Sequence, residues 1–255
     1  MSTVLDVTVC LLLVGVAVGT LAVAIPDEGA KHTVDSDPAA ETVTTVTAGV
    51  SADTGHRAHG TLAQHLARAV LLSATLEGEP LFSSPYPAAV RETVEADTAD
   101  RVHVTARWTP YPGGPLNATL SAGPTPPSTA DVAATTVTVD SGVVVSDESA
   151  EPNATSVSEA YINRTFPPER TRIELVDPRT ASRTAGRYRE VGDTLGVDIG
   201  ASITEALPRR ANERLSTALA SRLDDDHDSK TAGSNAASSD ADPETVEIVV
   251  RRWEP

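Results

Sequence analysis

The chain has 255 residues, long enough for a domain with its own hydrophobic core, and it carries 36 acidic residues against 20 basic ones. The resulting net charge of -16 excludes nucleic acid as a partner, because the chain has no basic stripe to neutralise phosphates. The single cysteine, Cys10, excludes a disulfide framework and a cysteine-based metal site.

The first 25 residues contain an uncharged apolar run, residues 7–25. As a helix this run would span about 28 Å, close to the thickness of the hydrocarbon core of a bilayer. We interpret 1–25 as a retained single-pass membrane anchor, with the body of the chain outside the cytoplasm. The alternatives are a secretory signal cleaved after the small residues 22–24 and a buried helix of a soluble protein.

Three residues of this segment are candidates for helix assembly. Gly15 and Gly19 form a G-x-x-x-G pair that lets another helix approach closely, although glycine is common in this chain. Asp6 lies at the edge of the apolar run and becomes the fifth residue once Met1 is removed. The arrangement resembles type IV pilins and their secretion-system relatives, which carry an acidic residue, usually Glu, at that position. The resemblance implies that Asp6 pairs with the N-terminal amine of a neighbouring subunit; an ordinary interfacial Asp is the alternative.

Residues 26–58 are acidic and rich in threonine, and we interpret them as a stem between anchor and body. Within the stem, the alternation of Val and Thr over 41–50 predicts a strand. Thr61 predicts the N-cap of the first helix of the body. Two helices and one strand are predicted next, over 62–76, 88–99 and 101–109.

The rest of the body is predicted to mix short strands with helices. Strands are predicted over 116–121, over 135–145 as a hairpin that turns at Ser141 and Gly142, and over 172–176. Helices are predicted over 156–165 and 181–195. The body is completed by two further segments, 197–207 and 209–223. The last of these segments has the clearest amphipathic pattern outside the anchor.

The C-terminal part consists of an insert and a strand. Residues 224–244 are acidic and rich in Ser and Ala, a composition that predicts disorder. The pattern of Thr245–Trp253, within 245–255, predicts a strand that joins the sheet of the body. We therefore predict an α+β fold: an N-terminal transmembrane helix followed by one domain of mixed helices and antiparallel sheet over 59–223, completed by the final strand.

The composition is also informative about the source. Only two basic residues are lysines, Lys31 and Lys230, and aromatic residues make up 3% of the chain. The acidic excess and the scarcity of lysine resemble proteins of salt-loving archaea. In molar salt the Debye length is only about 3 Å, so the mutual repulsion of the acidic groups is screened.

Blocks of sequence spread over most of the chain resemble an uncharacterised family of haloarchaeal single-span membrane proteins. The resemblance rests on the N-terminal phrase STVLDVTVCLLLV and on segments 59–70, 101–113, 166–175 and 246–255. It implies a membrane location and an association with pilus-like or secretion-type machinery. It implies no catalytic residue.

No metal, cofactor or catalytic site is predicted from the sequence. His56, His59 and His65 are close in sequence, but no Cys or well-placed carboxylate completes a tetrahedral set, so we interpret them as loop histidines. The acidic run 224–228 lacks the glycine and terminal glutamate of a calcium loop and is interpreted as solvated. No nucleophile, phosphate-loop or dinucleotide-binding motif is present.

Three asparagines are candidates for N-glycosylation. Asn117, Asn153 and Asn163 each begin an N-x-Thr sequence, and the chain has only five asparagines. This excess favours a body that faces the outside of the cell; the alternative is that a threonine-rich composition produces the pattern by chance.

These features predict a non-enzymatic, single-pass membrane protein of a haloarchaeal envelope, with an extracytoplasmic body. The N-terminal pattern favours a pilin-like or secretion-associated assembly component, whose partners are the membrane and other subunits contacted through the N-terminal helix. The alternative is a surface-anchored module that binds a ligand or a partner. A membrane-bound hydrolase is a third hypothesis.

Overall fold

The computed structural model describes residues 36–51, 57–111, 114–145, 153–231 and 242–254. All of them belong to one unit, which spans 34–255. The predicted anchor 1–25 lies outside the described residues, and so do Asp6, Gly15 and Gly19. None of the helices in the described ranges is both long enough and apolar enough to span a membrane.

A six-stranded sheet, antiparallel throughout, forms the centre of the domain. Its strand order is β4-β3-β6-β5-β8-β7, and β1 and β2 pair with each other as a separate two-stranded sheet. The strands are β1 (Thr47–Ser51), β2 (Arg57–Thr61), β3 (Thr75–Leu76), β4 (Glu79–Pro80), β5 (Val102–Trp108), β6 (Leu116–Ala122), β7 (Val132–Asp140) and β8 (Thr245–Trp253).

Helices form the second layer of the domain. They are α1 (Asp37–Thr45), α2 (Leu62–Leu71), α3 (Tyr86–Asp97), α4 (Ala154–Thr165), α5 (Pro168–Val176), α6 (Ala181–Leu195), α7 (Gly200–Thr204) and α8 (Pro208–Thr231). The first three pack on the sheet, and α4 packs along α8. The described domain is therefore a mixed α+β fold with antiparallel sheets, as predicted.

The two faces of the sheet differ in burial because side chains alternate along each strand. On β5, Val104, Ala106 and Trp108 are fully buried, whereas Arg107 between them is exposed. β6 shows the same alternation over its whole length. One face of the sheet thus carries the core, and the strand predictions for 101–109, 116–121 and Thr245–Trp253 are confirmed.

The N-cap predicted at Thr61 is confirmed. Thr61 Oγ1 accepts from the backbone N–H of Gln64 at 3.2 Å, and Gln64 Oε1 accepts from the backbone N–H of Thr61 at 3.0 Å, which is a capping box. Leu62 and Leu66 are fully buried beneath this first turn. The helix ends at Leu71, five residues before the predicted end at 76, because residues 75–76 pair as β3.

Two aromatic contacts join the helical part to the sheet. Tyr161 of α4 stacks on Trp108 of β5 with ring centroids 5.2 Å apart. The Tyr161 hydroxyl donates to the backbone oxygen of Leu71, at the end of α2, at 3.2 Å. These contacts bring the end of α4 close to α2.

Two strand predictions were wrong in whole or in part. Residues 172–176 belong to the helix α5, which begins at Pro168, and Ile173 and Val176 on it are 71% and 67% exposed. Proline is favoured in the first helical turn, and the exposed apolar residues imitated a strand pattern. Over 41–50, the helix α1 extends to Thr45, and strand begins only at Thr47.

The predicted hairpin over 135–145 is not formed. β7 is one continuous strand of nine residues that ends at Asp140. It pairs with β8 along its whole length, from Val132 opposite Trp253 to Asp140 opposite Thr245. Gly142 has a positive φ of 71°, but residues 143–145 after it form no strand. At the other end of the body, α8 continues to Thr231, within the segment 224–244 for which composition predicted disorder.

Candidate anion-binding cleft

A cleft lies where several helices of the domain converge. It has a volume of about 120 Å³ and is lined by residues of α2, the start of α3, the end of α4, α5 and α6. Its charged lining residues are Arg68, Arg164, Arg170, Arg187 and Glu174. The cleft is roughly ten times larger than the smallest cavity that holds one water, so a small polyatomic ion fits inside.

Arg68 and Arg164 approach each other in the wall of the cleft. Burial lowers the pKa of the Arg164 guanidinium, the neighbouring charge of Arg68 lowers it further, and Asp140 partly offsets this. Within the described residues, neither Arg68 nor Arg164 has a carboxylate oxygen within 4.0 Å of its guanidinium nitrogens. The two like charges therefore repel each other, and although solvent screens part of this repulsion because Arg164 is exposed and Arg68 only half-buried, the remainder favours a bound anion.

The positions of these two side chains are set by their neighbours. The guanidinium carbon of Arg68 lies 5.1 Å from the centroid of the Tyr86 ring, a cation–π contact. Arg164 Nε points to the backbone oxygen of Ser141 at 3.5 Å, and a Cβ added at Gly142 would lie 2.5 Å from the same nitrogen. A side chain at position 142 would thus displace Arg164.

The other two arginines are held by an ion pair and by aromatic rings. Arg170 Nε lies 2.7 Å from Glu174 Oε1, one turn further along α5. The guanidinium carbon of Arg187 lies 5.4 Å from the ring centroid of Phe82 and 5.3 Å from that of Phe166. Such stacking orients the planar guanidinium group of Arg187.

Tyr86 forms one wall of the cleft and is fixed by a buried histidine. The His65 Nε2 lies 3.1 Å from the backbone oxygen of Ala48, and Nδ1 lies 2.6 Å from the Tyr86 hydroxyl. A carbonyl can only accept, so Nε2 carries the hydrogen and Nδ1 accepts from Tyr86. Burial raises the pKa of Tyr86, and the charge of Arg68 partly opposes this shift. Tyr86 therefore lines the cleft as an uncharged side chain.

Among the residues that the structure describes, the histidines considered from the sequence are not brought together as a metal site. His65 lies in α2 and is 3% exposed, contrary to its interpretation as a loop histidine, because its two ring nitrogens have partners in the core. His59 lies in β2, and His56 is outside the described residues. In the part of the chain that the structure describes, no three His, Cys, Asp or Glu residues are arranged to hold a metal ion.

A second cavity adjoins the cleft. This open groove has a volume of about 820 Å³, and Arg164 and Pro167 line both the groove and the cleft. Its other lining residues include Asn153, Asn163 and Glu159. The cleft and the groove therefore form one continuous surface around Arg164.

The three predicted glycosylation sites lie at exposed positions. Asn153 is the N-cap of α4, and its Oδ1 accepts from the backbone N–H of Ser156 at 2.9 Å. Asn163 Oδ1 accepts from Asn212 Nδ2 at 2.9 Å. Both contacts use the oxygen, whereas a glycan is attached to the nitrogen. Asn117 lies on the solvent-facing side of β6, away from the other two.

The arginines of the cleft were not identified from the sequence. They lie on four helices between positions 68 and 187, with no motif or fixed spacing that connects them. The only available signal was that arginine supplies nearly all the basic residues of an acidic chain. Arginine suits bidentate contacts with carboxylate or phosphate, but the signal does not select individual positions.

The described chain is thus an α+β domain with an arginine-lined cleft in an acidic molecule. It belongs to a family of unknown function, DUF7284, whose family model matches residues 5–253. No curated protein and no solved structure matches the chain.

Proposed function

We propose that the chain is a membrane-anchored envelope protein whose extracytoplasmic body binds an anionic group in the arginine cleft. The observation that carries the proposal is the convergence of four arginines on one small cleft in a chain of net charge -16. An acidic protein gains nothing in solubility from such a cluster. Arg68 and Arg164, the two members that repel each other, would be stabilised by an anion between them.

The chemistry of the cleft supports binding rather than catalysis. Guanidinium groups keep their charge and donate hydrogen bonds in a fixed planar fork that matches oxyanions. The neutral Tyr86 and the partnered His65 supply no nucleophile or general base to the cleft. This makes a ligand-binding module a better explanation than a hydrolase.

The proposal is tested by isothermal titration of the full-length protein with inorganic phosphate at constant ionic strength. We expect Arg164→Met to weaken binding by about 10- to 100-fold, since a hydrogen bond to a charged group contributes roughly 1.5–3 kcal/mol. Arg68→Met repeats the test from a different helix. The matched control, Arg210→Met, removes an exposed arginine of α8 outside the cleft and should bind like the wild type.

Thermal unfolding of each variant shows whether it is folded before its affinity is compared. Absence of phosphate binding in the wild type, or equal loss in Arg164→Met and Arg210→Met, would contradict an anion-binding cleft.

A second candidate function is assembly through the N-terminal helix, as a pilin-like or secretion-associated subunit. The observation that favours it is the position of Asp6 directly before the uncharged run 7–25. The same run supports the proposed membrane location, and Asn117, Asn153 and Asn163 support an outward-facing body that carries glycans.

Chemical cross-linking in membranes tests this second candidate. We expect Asp6→Ala to abolish oligomers of the chain and Asp6→Glu to retain them, because only the second keeps a carboxylate to pair with an amine. Oligomers of equal abundance in Asp6→Ala and in the wild type would contradict a role of Asp6 in assembly and would favour a helix that serves only as a membrane anchor.

A further inference from the structure

The two edges of the six-stranded sheet differ in how they are protected against a further strand. β4 at one edge has two residues, and one of them is Pro80, which has no N–H to donate. β7 at the other edge has nine residues and pairs with β8 without a bulge. It contains no proline, lysine or arginine, which natural edge strands use to prevent pairing, and its one charged residue is Asp140 at its end. The edge formed by β7 is therefore suited to strand addition.

The backbone groups that β7 presents at this edge follow from bonds at the two ends of its ladder with β8. The N–H of Ser141 donates to the backbone oxygen of Glu244 at 2.7 Å. The N–H of Glu254 donates to the backbone oxygen of Asp131 at 3.4 Å. Both bonds continue the register of the two strands, so the odd-numbered residues of β7 direct their N–H and C=O groups at β8. The even-numbered residues direct theirs outward, and they are Val132, Ala134, Thr136, Thr138 and Asp140.

Within the described residues, no strand and no backbone group pairs with these outward-pointing groups. Antiparallel pairing with β7 of a second copy would satisfy them. With a two-fold axis at Thr136, this residue lies opposite its own counterpart. The other outward-pointing residues then pair as Ala134 with Thr138 and Val132 with Asp140. Each outward N–H thus meets an outward C=O, and no two acidic side chains lie directly opposite each other.

The side chains of β7 suit the same register. Val137 and Val139 point to the core side of the sheet and are only half-buried in one copy. The register places Val137 opposite Thr135 and Val139 opposite Ala133 of the second copy. Pairing would therefore bury apolar surface of both copies together with the backbone bonds.

The point at which the described chain begins is compatible with this pair. The hydroxyls of Ser36 and Thr135 share a hydrogen bond, so Ser36 lies next to the axis on the core side of the sheet. A two-fold axis that relates antiparallel strands is perpendicular to the sheet, so Ser36 of both copies lies on the same side. Both chains therefore continue toward their N-termini from one side of the pair, as the proposed anchoring of both in one membrane requires.

We infer that two copies of the chain join through β7 into one continuous antiparallel sheet, with a two-fold axis at Thr136. Each copy carries a net charge of -16, so salt that screens the repulsion between copies favours the pair. Anchoring in one membrane raises the effective concentration of each copy for the other, so a contact limited to one strand edge and its neighbours is sufficient.

Disulfide trapping in membranes tests the inference with the full-length chain, in about 1 M KCl, where the Debye length is about 3 Å. Cys10, the only cysteine, is first replaced by serine. Thr136→Cys then places two thiols in a hydrogen-bonded pair, whose Cα atoms are about 5.5 Å apart, within reach of a disulfide. We expect mild oxidation with copper phenanthroline to give a covalent dimer of the chain.

Two other cysteine variants are the matched controls. Thr138→Cys lies on the same face of β7, but its counterpart in the second copy is about 13 Å further along the strand, beyond disulfide reach. Thr119→Cys is exposed on β6, inside the sheet, and reports random collisions. Thr136→Cys should form the dimer at least about 10-fold faster than either control.

A proline at the edge separates pairing between copies from the fold itself. The N–H of Ala134 points outward, so Ala134→Pro removes no bond between β7 and β8 but removes a donor from the edge. Combined with Thr136→Cys, it should lower the rate of dimer formation to that of Thr119→Cys. Thermal unfolding of Ala134→Pro shows whether the domain is still folded.

Each of three outcomes would overturn the inference. Thr136→Cys that forms no dimer, or forms it only as fast as Thr119→Cys, would exclude a specific contact between copies at β7. Disulfides of Thr136→Cys with other proteins but not with itself would exclude a second copy as the partner. Faster dimer formation by Thr138→Cys than by Thr136→Cys would exclude the axis at Thr136. The anion-binding proposal is independent of these results, because no residue of β7 lines the cleft.

Discussion

At the scale of single residues, Asn212 is the polar side chain that organises the helices behind the cleft. It lies in α8, is 3% exposed, and its Oδ1 accepts from the Tyr188 hydroxyl at 2.6 Å. Its Nδ2 donates to the backbone oxygen of Phe166 at 2.8 Å and to Asn163 Oδ1. Asn212 therefore links α6 and α8 to the end of α4, where Phe166 lines the cleft.

Removal of the Tyr188 hydroxyl from this network should lower the stability of the fold. Burial raises the pKa of Tyr188, and its hydroxyl also interacts with the Thr171 side chain, so Tyr188→Phe leaves buried polar groups without a partner. We expect the free energy of unfolding to fall by about 1–3 kcal/mol, measured by urea denaturation.

The matched control is Tyr161→Phe, which removes another buried hydroxyl. Its acceptor, the backbone oxygen of Leu71, still accepts from the N–H of Ala74 at 3.3 Å, and its other partner, the Thr165 side chain, is only half-buried. The expected loss is about 0.5–1.5 kcal/mol, the ordinary net value of one hydrogen bond. A larger loss in Tyr161→Phe than in Tyr188→Phe would show that Asn212 is satisfied in another way.

At the scale of elements, sequence periodicity located the strands that have one buried and one open face. β5 and β8 alternate apolar and polar residues because one side packs on the core, and this alternation is local. The same reasoning was misled at α5, where Ile173 and Val176 are exposed apolar residues. An alternation of apolar and polar residues therefore identifies a strand only where it results from the burial of one face.

The hydrogen bonding of threonine explains why part of 41–50 forms a helix and not the predicted strand. In α1, the hydroxyls of Thr42 and Thr45 donate to the backbone oxygens of Pro38 and Glu41, four residues earlier. These bonds accommodate in a helix a residue type that is more often found in strands. The alternation of Val and Thr therefore predicted a strand over 41–50, although Thr42 and Thr45 lie in a helix.

The pairing of strands and the formation of the cleft depend on contacts between segments that are far apart in the sequence. Local sequence patterns do not show such contacts. The turn signal at Ser141 and Gly142 predicted a hairpin, whereas β7 pairs with β8 from the far end of the domain. The cleft likewise combines side chains from separate helices. The two glycosylation candidates next to the cleft were visible as motifs, but their proximity to the arginines was not.

At the scale of the whole molecule, the net charge of -16 should govern stability. Ion pairs among the described residues include Arg170–Glu174, Arg179–Asp177, Arg209–Glu169 and Arg222–Glu77. In each of these pairs the arginine side chain is exposed, and an ion pair of this kind contributes little to folding. Repulsion among the remaining acidic groups therefore opposes the folded state until salt screens it.

We expect the midpoint of thermal unfolding to rise by about 2–8 °C between 0.1 and 1 M KCl. Over this range the Debye length falls from about 10 to 3 Å, and about 1–2 kcal/mol of relieved repulsion gives such a shift in a chain of this size. Scanning calorimetry provides the measurement.

A variant with fewer charges supplies the control. Replacement of the exposed residues Glu92, Asp97 and Glu213 by the corresponding amides should raise the midpoint at 0.1 M KCl and reduce the further rise at 1 M. An identical salt response in this variant and in the wild type would mean that charge repulsion is not the cause.

The position of β8 has a consequence for how the protein is made. β8 lies between β5 and β7, yet more than 100 residues separate the end of β7 at Asp140 from Thr245. A nascent chain emerges from the ribosome N-terminus first, so β7 has no neighbour in the sheet until residues 245–253 have followed. The body therefore cannot complete its sheet until translation has passed residue 253, and β7 must wait as an unpaired edge until then.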